Sequence, residues 1–100
     1  MFFNWIEEKF ITINNKEKLE DGEHLIHHRK YKEALSFFSE KLKRFPKSAK
    51  AHYYRSLCNL QLGNLYSALY DIEQSLSFDN TVGESYVTKG KILYKLEDYD

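Results

Sequence analysis

The chain has 100 residues, of which 42% are hydrophobic and 30% are charged, a composition typical of one small soluble domain. Equal numbers of basic and acidic side chains give a net charge of zero, which provides no general attraction for nucleic acid or for an anionic membrane. One proline and four glycines favour long helices over a loop-rich β fold. Cys58 is the single cysteine, so an intrachain disulfide is excluded, and we interpret it as a buried apolar residue.

The first fourteen residues form a segment rich in large apolar side chains, among them Phe2, Trp5 and Phe10. The segment has no basic leading stretch and contains Glu7 and Glu8, which is unlike a signal peptide or a membrane span. We therefore expect a cytoplasmic protein in which residues 1–14 form a cap helix packed on the rest of the chain. The alternative is a detachable amphipathic segment that binds a partner or a membrane surface.

Helix-capping and turn residues punctuate the remainder of the chain. Asn14 with Glu17, and Thr81 with Glu84, are typical of capping boxes that open helices. Ser48 is a natural N-cap, and the dipeptide Gly63-Asn64 separates two apolar periodic stretches. Within the stretches, apolar residues recur three and four positions apart, which is helical spacing. We predict helices at about 15–28, 31–44, 49–62, 65–77 and 83–96.

A 34-residue repeat is the strongest signal in the sequence. Gly22, Ser56 and Gly90 fall in one register, where a small side chain lets one helix pass close to the next. Short turns between the helices predict antiparallel neighbours, so we expect an all-α fold of stacked helix pairs. The repeats span about 15–48 and 49–82, followed by an incomplete unit at 83–100. The other aligned pairs are Ala34 and Ala68, Leu35 and Leu69, Phe38 and Ile72, and Leu42 and Leu76.

The repeated blocks resemble the tetratricopeptide-repeat (TPR) family. YKEALSFFSEKLKRFP at 31–46 looks like a second TPR helix with its closing proline, and LQLGNLYSALYDIEQSLSFDN at 60–80 looks like the turn and second helix of the next repeat. GESYVTKGKILYKLEDYD at 83–100 is similar to a first helix, while His52 stands where the family favours an aromatic residue. The resemblance implies a TPR-like α-α superhelix that serves as a non-catalytic protein-protein interaction scaffold.

In TPR proteins the first helices of successive pairs line a concave groove, and the resemblance implies that a peptide or a helix of a partner protein binds there. Tyr53, Tyr54 and Leu57 would form an apolar and aromatic centre, which is the composition of binding hot spots. The alternative is that these residues only pack between neighbouring units. The predicted peptide-binding residues are Lys16, Leu19, Glu23, Lys50, Tyr53, Tyr54, Leu57, Gln61, Val87 and Lys91.

Chaperone-binding TPR proteins grip a C-terminal carboxylate with Lys, Asn and Arg side chains at five places on three first helices. By resemblance, those places hold Leu19, Glu23, Tyr54, Glu84 and Thr88, and none of the five matches. We therefore predict that heat-shock chaperone C-terminal tails are not the ligand. The expected partner is another protein or peptide, and we expect no nucleic acid.

The last helix has no second helix after it in the sequence. Residues 98–100 match the start of such a helix, so we expect the chain to be an N-terminal fragment of a longer repeat protein; the alternative is a natural cap. Tyr86, Leu93 and Leu96 then lack their usual cover, which favours self-association. Structural self-assembly through this helix, as a homodimer, is the alternative function.

Histidines form the one cluster that could bind a metal. His24 and His28 are one helical turn apart, a spacing that suits two ligands, and Glu20 lies one turn earlier. The repeat aligns His28 with Leu62 and Leu96, so we expect it to pack against the second helix. The sequence contains no glycine-rich phosphate loop, no nucleophile elbow and no paired cysteines. We predict no enzyme activity, no cofactor and no metal site.

Overall fold

Residues 17–99 are described by a computed structural model of the chain, and this range contains five helices and no strand. The helices pack in sequence order, and the third also contacts the fifth. The described range measures 58 × 27 × 19 Å, as expected for helix pairs stacked in a row. The predicted all-α repeat fold is therefore confirmed. The helices are α1 (Glu20–His27), α2 (Tyr31–Arg44), α3 (Ala49–Gln61), α4 (Leu65–Phe78) and α5 (Gly83–Tyr99).

Two apolar clusters form the core, one for each complete repeat. Phe38 is fully buried at the centre of the first cluster, and Ile72, its partner in the repeat register, is fully buried in the second. Ala34 and Ala68 are also fully buried at equivalent places. These aligned residues of the second helices have the same burial, because each second helix packs between two first helices.

The predicted close approach of helices is observed in the first two units. A Cβ atom added at Gly22 would lie 2.4 Å from Cζ of Phe38, which leaves no space for a side chain. Ser56 is fully buried, and its hydroxyl donates to the carbonyl of Tyr53 at 2.6 Å. The prediction is wrong for Gly90, which is exposed and has no atom within 4 Å of an added Cβ. Within residues 17–99, no second helix follows α5 to make the close contact.

Two predicted helix boundaries are confirmed by local geometry. The Ser48 hydroxyl accepts a hydrogen bond from the backbone N–H of Ala51 at 3.0 Å, as an N-cap does. Gly63 has a φ of 81°, which closes α3 in the left-handed conformation that glycine adopts without a steric penalty. Arg29, one repeat earlier, has a φ of 60° and performs the same turn between α1 and α2.

Other boundaries differ from the prediction. Helix α1 begins at Glu20 and not near 15, so Glu17 precedes the helix; Asn14, the other half of that capping box, lies outside the described residues. Thr81 bonds through its backbone N–H to the side chain of Asp79 and does not cap α5. Helix α5 runs on to residue 99. Glu97, which the repeat aligns with the turn residue Gly63, is part of this helix. The predicted cap segment, 1–14, lies outside the described residues.

Candidate functional site

The first helices of the repeats lie side by side and form one continuous surface, which we call the first-helix surface (exposed faces of α1, α3 and α5). The Tyr54 side chain on α3 lies near Glu23 on α1, which contributes to a raised pKa of its hydroxyl. The neighbouring Tyr53 lies near Glu84 and Thr88 on α5, which both influence its pKa. Two adjacent tyrosines of α3 are therefore close to the first helix on either side.

Both tyrosine rings lie at the boundary between the core and this surface. The Tyr54 ring stacks on the buried Phe38 ring, with centroids 5.2 Å apart, and meets the Tyr53 ring edge to face at 5.3 Å. Burial, followed by the nearby Glu23 carboxylate, raises the pKa of Tyr54 to about 12. Burial and the charge of Glu84 also raise the pKa of Tyr53. Both hydroxyls are therefore neutral donors at physiological pH.

A pocket of about 140 Å³ opens between α3 and α5 beside the tyrosine pair. Tyr53, Tyr54 and Val82 provide its apolar walls, and Lys50 and Glu84 provide charged groups at its edge. An apolar wall with a few polar groups is the usual composition of a site that accepts one side chain of a partner.

A second, more polar hollow lies between α1 and α3. It is lined by Glu17, Glu20 and Glu23 from the α1 side and by Lys50 from α3. Lys50 lines both hollows, so the two form one surface that runs from α1 to α5.

The structure brings together only part of the predicted peptide-binding set. Glu23, Lys50, Tyr53 and Tyr54 line the two hollows, as just described. Leu19 also borders the hollow beside α1, but it is 5% exposed and belongs to the first core cluster, so little of its side chain faces the hollow. Leu57 is half-buried, whereas Gln61, Val87 and Lys91 are exposed and lie outside the pocket between α3 and α5; Lys16 lies outside the described residues.

Val82 and Glu84 line the pocket but were not in the predicted peptide-binding set. Glu84 was placed on the groove by the repeat register, in which it aligns with Lys50. Val82 precedes α5 in the turn, so helical periodicity could not place it.

A buried ion pair fixes α3 against α4 below the first-helix surface. Two nitrogens of the Arg55 guanidinium donate to the carboxylate of Asp71 at 2.8 and 2.9 Å, and the Asn59 side chain donates to it at 3.0 Å. Burial pushes the pKa of Asp71 upward, but the adjacent His52 ring and the Arg55 guanidinium outweigh it and hold this pKa below its usual range. Sequence analysis missed this cluster because His52, Arg55 and Asn59 lie 12 to 19 residues before Asp71 in the chain.

His24, His28 and Cys58 are the residues that the sequence offered as metal ligands or as a reactive thiol. The His24 and His28 rings are parallel, with centroids 6.0 Å apart, and His28 is exposed, so the expected packing of His28 is wrong. Among residues 17–99, no group of three His, Cys, Asp or Glu side chains could hold a metal ion. Cys58 is fully buried, as expected, and burial raises the pKa of its thiol to about 12. In the same range, no helix has the length and apolarity that crossing a bilayer requires.

The fold and its exposed first helices define a helical-repeat scaffold, and sequence comparison identifies its relatives. The chain is 32% identical over 94 residues to Hsp70-Hsp90 organizing protein 3 of Arabidopsis thaliana, which covers 94% of this chain and 17% of that protein. It is 36% identical over 84 residues to Hsp70-Hsp90 organizing protein 1 of Glycine max, covering 84% of this chain and 15% of the relative. The organizing protein of Triticum aestivum is 30% identical over 84 residues, with coverages of 84% and 14%.

No protein-family model matches the chain. The Hsp70-Hsp90 organizing proteins are nevertheless TPR-domain proteins, and their similarity extends over most of this chain. The chain therefore belongs to the TPR family. It spans about one sixth of the length of these relatives.

The prediction that excluded heat-shock chaperones is contradicted by these relatives, which are named for organizing Hsp70 and Hsp90. The structure gives a physical reason for the error. Two of the five compared positions, Leu19 and Thr88, are buried, and a third, Tyr54, is half-buried with its ring stacked on Phe38. The residue types at these five positions therefore do not describe the surface that a ligand would contact.

Proposed function

We propose that this chain is a non-catalytic scaffold that binds an extended or helical segment of a partner protein on its first-helix surface. This surface corresponds to the concave groove of TPR proteins. The observation that carries the proposal is the Tyr53–Tyr54 pair, whose rings are held by the core while one edge of the pair lines the pocket beside α5. Rigid aromatic groups of this kind lose little conformational entropy on binding, which favours their use as anchors.

The chemistry of the surface suggests how a partner segment would be held. The pocket walls would take up one apolar side chain, while Lys50 and Glu84 are placed to bind polar groups of the same segment. Val87, on the exposed side of α5, would extend the apolar contact. These contacts join α3 and α5, from two successive units, so a single helix pair would not provide the complete surface.

Hsp70 and Hsp90 are the first partners to test, because the names of the relatives link those proteins to both chaperones. Titration calorimetry with each purified chaperone measures whether the chain binds. We expect binding to at least one of them in the micromolar range, about 10⁻⁶ M, as is usual for a small interface. The absence of heat change with both chaperones at about 100 μM would refute this choice of partner.

Two substitutions test the surface itself. Val82→Glu places a charge in the apolar wall of the pocket, and Val87→Glu places one on the neighbouring face of α5; both positions are exposed, so folding should tolerate them. We expect each to weaken binding by about tenfold or more, since an unpaired charge must lose its water on binding. Tyr66→Ser is the matched control, because Tyr66 is 70% exposed on α4, away from this surface. Equal affinities for all four proteins would contradict the assigned surface.

Self-assembly is the second candidate function, and the exposed face of α5 favours it. Tyr86, Leu93 and Tyr94 are exposed on this face, with Tyr94 at 68%, although Leu96 is buried, contrary to expectation. One repeat earlier, the α3 positions that align with Tyr86, Gly90, Leu93 and Tyr94 are all buried against α4. They are occupied by His52, Ser56, Asn59 and Leu60, respectively.

A second copy of the chain is the occupant we propose for this face. Two such faces can meet across a two-fold axis, and Gly90 between the apolar residues would let the helices approach closely. Sedimentation equilibrium should then show a dimer that Leu93→Glu dissociates and the control Tyr66→Ser does not. A monomer at about 100 μM would exclude this role.

A further inference from the structure

The first helices of the second and third units use the same positions for their inner faces. On α3 these positions hold Ala51 and Cys58, which are fully buried and share a core cluster with Phe38 of α2. On α5 the repeat aligns them with Ser85 and Ile92, which are also buried. A first helix that follows another unit therefore presents small and apolar side chains to that unit.

The same positions on α1 are polar. They hold Glu17 and His24, and the neighbouring Glu20 aligns with Tyr54 of the next unit. Glu20 and His24 are exposed, and within residues 17–99 no helix precedes α1. The row of helices thus ends in a face that water solvates well, and this face offers little apolar surface to a segment packed against it.

The segment that precedes the described range is strongly apolar. Among residues 1–16, Phe2, Ile6, Phe10 and Ile13 recur at a spacing that places them on one face of a helix. Covering such a face is favourable, because it removes apolar surface from water. Since the outer face of α1 is polar, we expect the segment to be covered by another surface of the protein.

The chain enters the described range beside the first-helix surface. Glu17 and Glu20 line the hollow between α1 and α3, and Lys50 lines both this hollow and the pocket between α3 and α5. Neighbouring helices lie about 8–10 Å apart, so the pocket is about 12–15 Å from α1. Trp5 is twelve residues before Glu17, a stretch that spans about 18 Å as a helix. The segment is therefore long enough to bring Trp5 to the pocket.

The surface also suits the segment chemically. The pocket has two tyrosine rings and a valine in its walls, which can cover an indole ring. The hollow on the α1 side carries three carboxylates, whose charge is complementary to that of Lys9 and Lys16 in the segment. These carboxylates belong to Glu17, Glu20 and Glu23.

We propose that residues 1–16 bind the first-helix surface of their own chain, with the indole of Trp5 in the pocket between α3 and α5. The segment then occupies the place that a partner segment takes in the function proposed above, on which this inference rests. A partner binds only when the segment has left, so the segment lowers the apparent affinity of the surface.

Trp5 is the single tryptophan of the chain, so quenching of its fluorescence by acrylamide measures its exposure in the complete protein. We expect Trp5 to be shielded in the native chain. Val82→Glu should raise its quenching to the level of the chain unfolded in urea, because a charge in the pocket wall must lose its water when the indole enters. Tyr66→Ser, at an exposed position on α4, is the control and should leave the quenching unchanged. Circular dichroism checks that both variants keep their helices.

Three results of this experiment would refute the proposal. One is equal quenching of Trp5 in the native and the unfolded chain. Another is a Trp5 that stays as shielded in Val82→Glu as in the native chain. The third is shielding at about 100 μM that is absent at about 1 μM, which would assign the segment to the surface of a second copy.

Chaperone titration of Trp5→Ser separates this inference from the proposed function. Release of the segment should tighten binding of Hsp70 or Hsp90 by about tenfold. An unchanged affinity in Trp5→Ser, together with weaker binding in Val82→Glu, would refute the internal occupant and leave the proposed function in place. Shielding that Val82→Glu abolishes, with no chaperone binding by Trp5→Ser, would support the internal occupant and refute the choice of partner.

Discussion

Replacing Gly22 by alanine tests whether the first two helices pack as closely as the structure shows. The added Cβ would lie 2.4 Å from Cζ of Phe38 and 2.5 Å from Cδ1 of Phe37, whereas carbon atoms in van der Waals contact are about 3.5–4.0 Å apart. Phe38 is fully buried, so its ring has no free space to enter. One or both rings, or the helix, must therefore shift by about 1 Å.

The magnitude follows from two opposing effects. Forcing an extra carbon into a packed core costs ~1–3 kcal/mol, and the absence of free space at Phe38 favours the upper end. Alanine in place of glycine in a helix returns up to ~1 kcal/mol. We therefore expect Gly22→Ala to lower the free energy of unfolding by ~2 kcal/mol.

Gly90 provides a matched control, because it occupies the same place in the repeat. An added Cβ there meets no atom within 4 Å, so Gly90→Ala should raise the free energy of unfolding by ~0.5–1 kcal/mol. Urea unfolding followed by circular dichroism measures both changes through the midpoint concentration. We expect Gly22→Ala to lower the free energy of unfolding and Gly90→Ala to raise it. An unchanged or increased stability of Gly22→Ala would refute the close packing of α1 on α2.

Three further predictions concern single residues in the structure. Gly63→Ala should lower the free energy of unfolding by ~1–2 kcal/mol because of its positive φ, and thermal denaturation measures the loss; no change would contradict the left-handed turn. The Cys58 thiol should react with a thiol reagent at neutral pH only after unfolding in urea, since it is buried and its pKa is raised to about 12; equal rates in the folded chain would contradict this. Asp71 has a lowered pKa, so its stabilisation is complete above about pH 4 and is lost as the pH falls through its folded-state pKa. Asp71→Asn should therefore remove ~3–5 kcal/mol at pH 7 and flatten the acid dependence of urea unfolding, and an unchanged acid profile would contradict the ion pair.

Much of the fold could be predicted because its signals are local or periodic. The N-cap at Ser48 and the turn at Gly63 depend on neighbouring backbone atoms, so residue type alone indicates them. Phe38 and Ile72 are apolar at the same place in two repeats, and both are fully buried. Not every local signal was reliable: the Asn14–Glu17 pair predicted a helix start near 15, whereas α1 begins at Glu20, and α5 runs past its predicted end at 96.

The candidate surface was less predictable, because burial depends on contacts from other helices. Leu19 and Val87 are apolar and occupy the same place in the repeat register, yet Leu19 is buried against the first core cluster and Val87 is exposed. The pair of Arg55 and Asp71 joins residues 16 positions apart, and no spacing rule within one helix predicts it. The expected groove residues Lys50 and Tyr54 do lie together, because they are one helical turn apart on α3, and both line the pocket beside α5.

The amino-acid sequence by itself determined that this chain is an all-α repeat of the TPR kind, since helical period and repeat length are written in the order of the residues. Only the tertiary structure decided which side chains each helix leaves exposed. Tyr54 illustrates the difference: its ring is packed on Phe38 and also lines the pocket beside α5, so it belongs to both the core and the surface. That position follows from three helices meeting at one place, and a pattern along a single helix does not contain it.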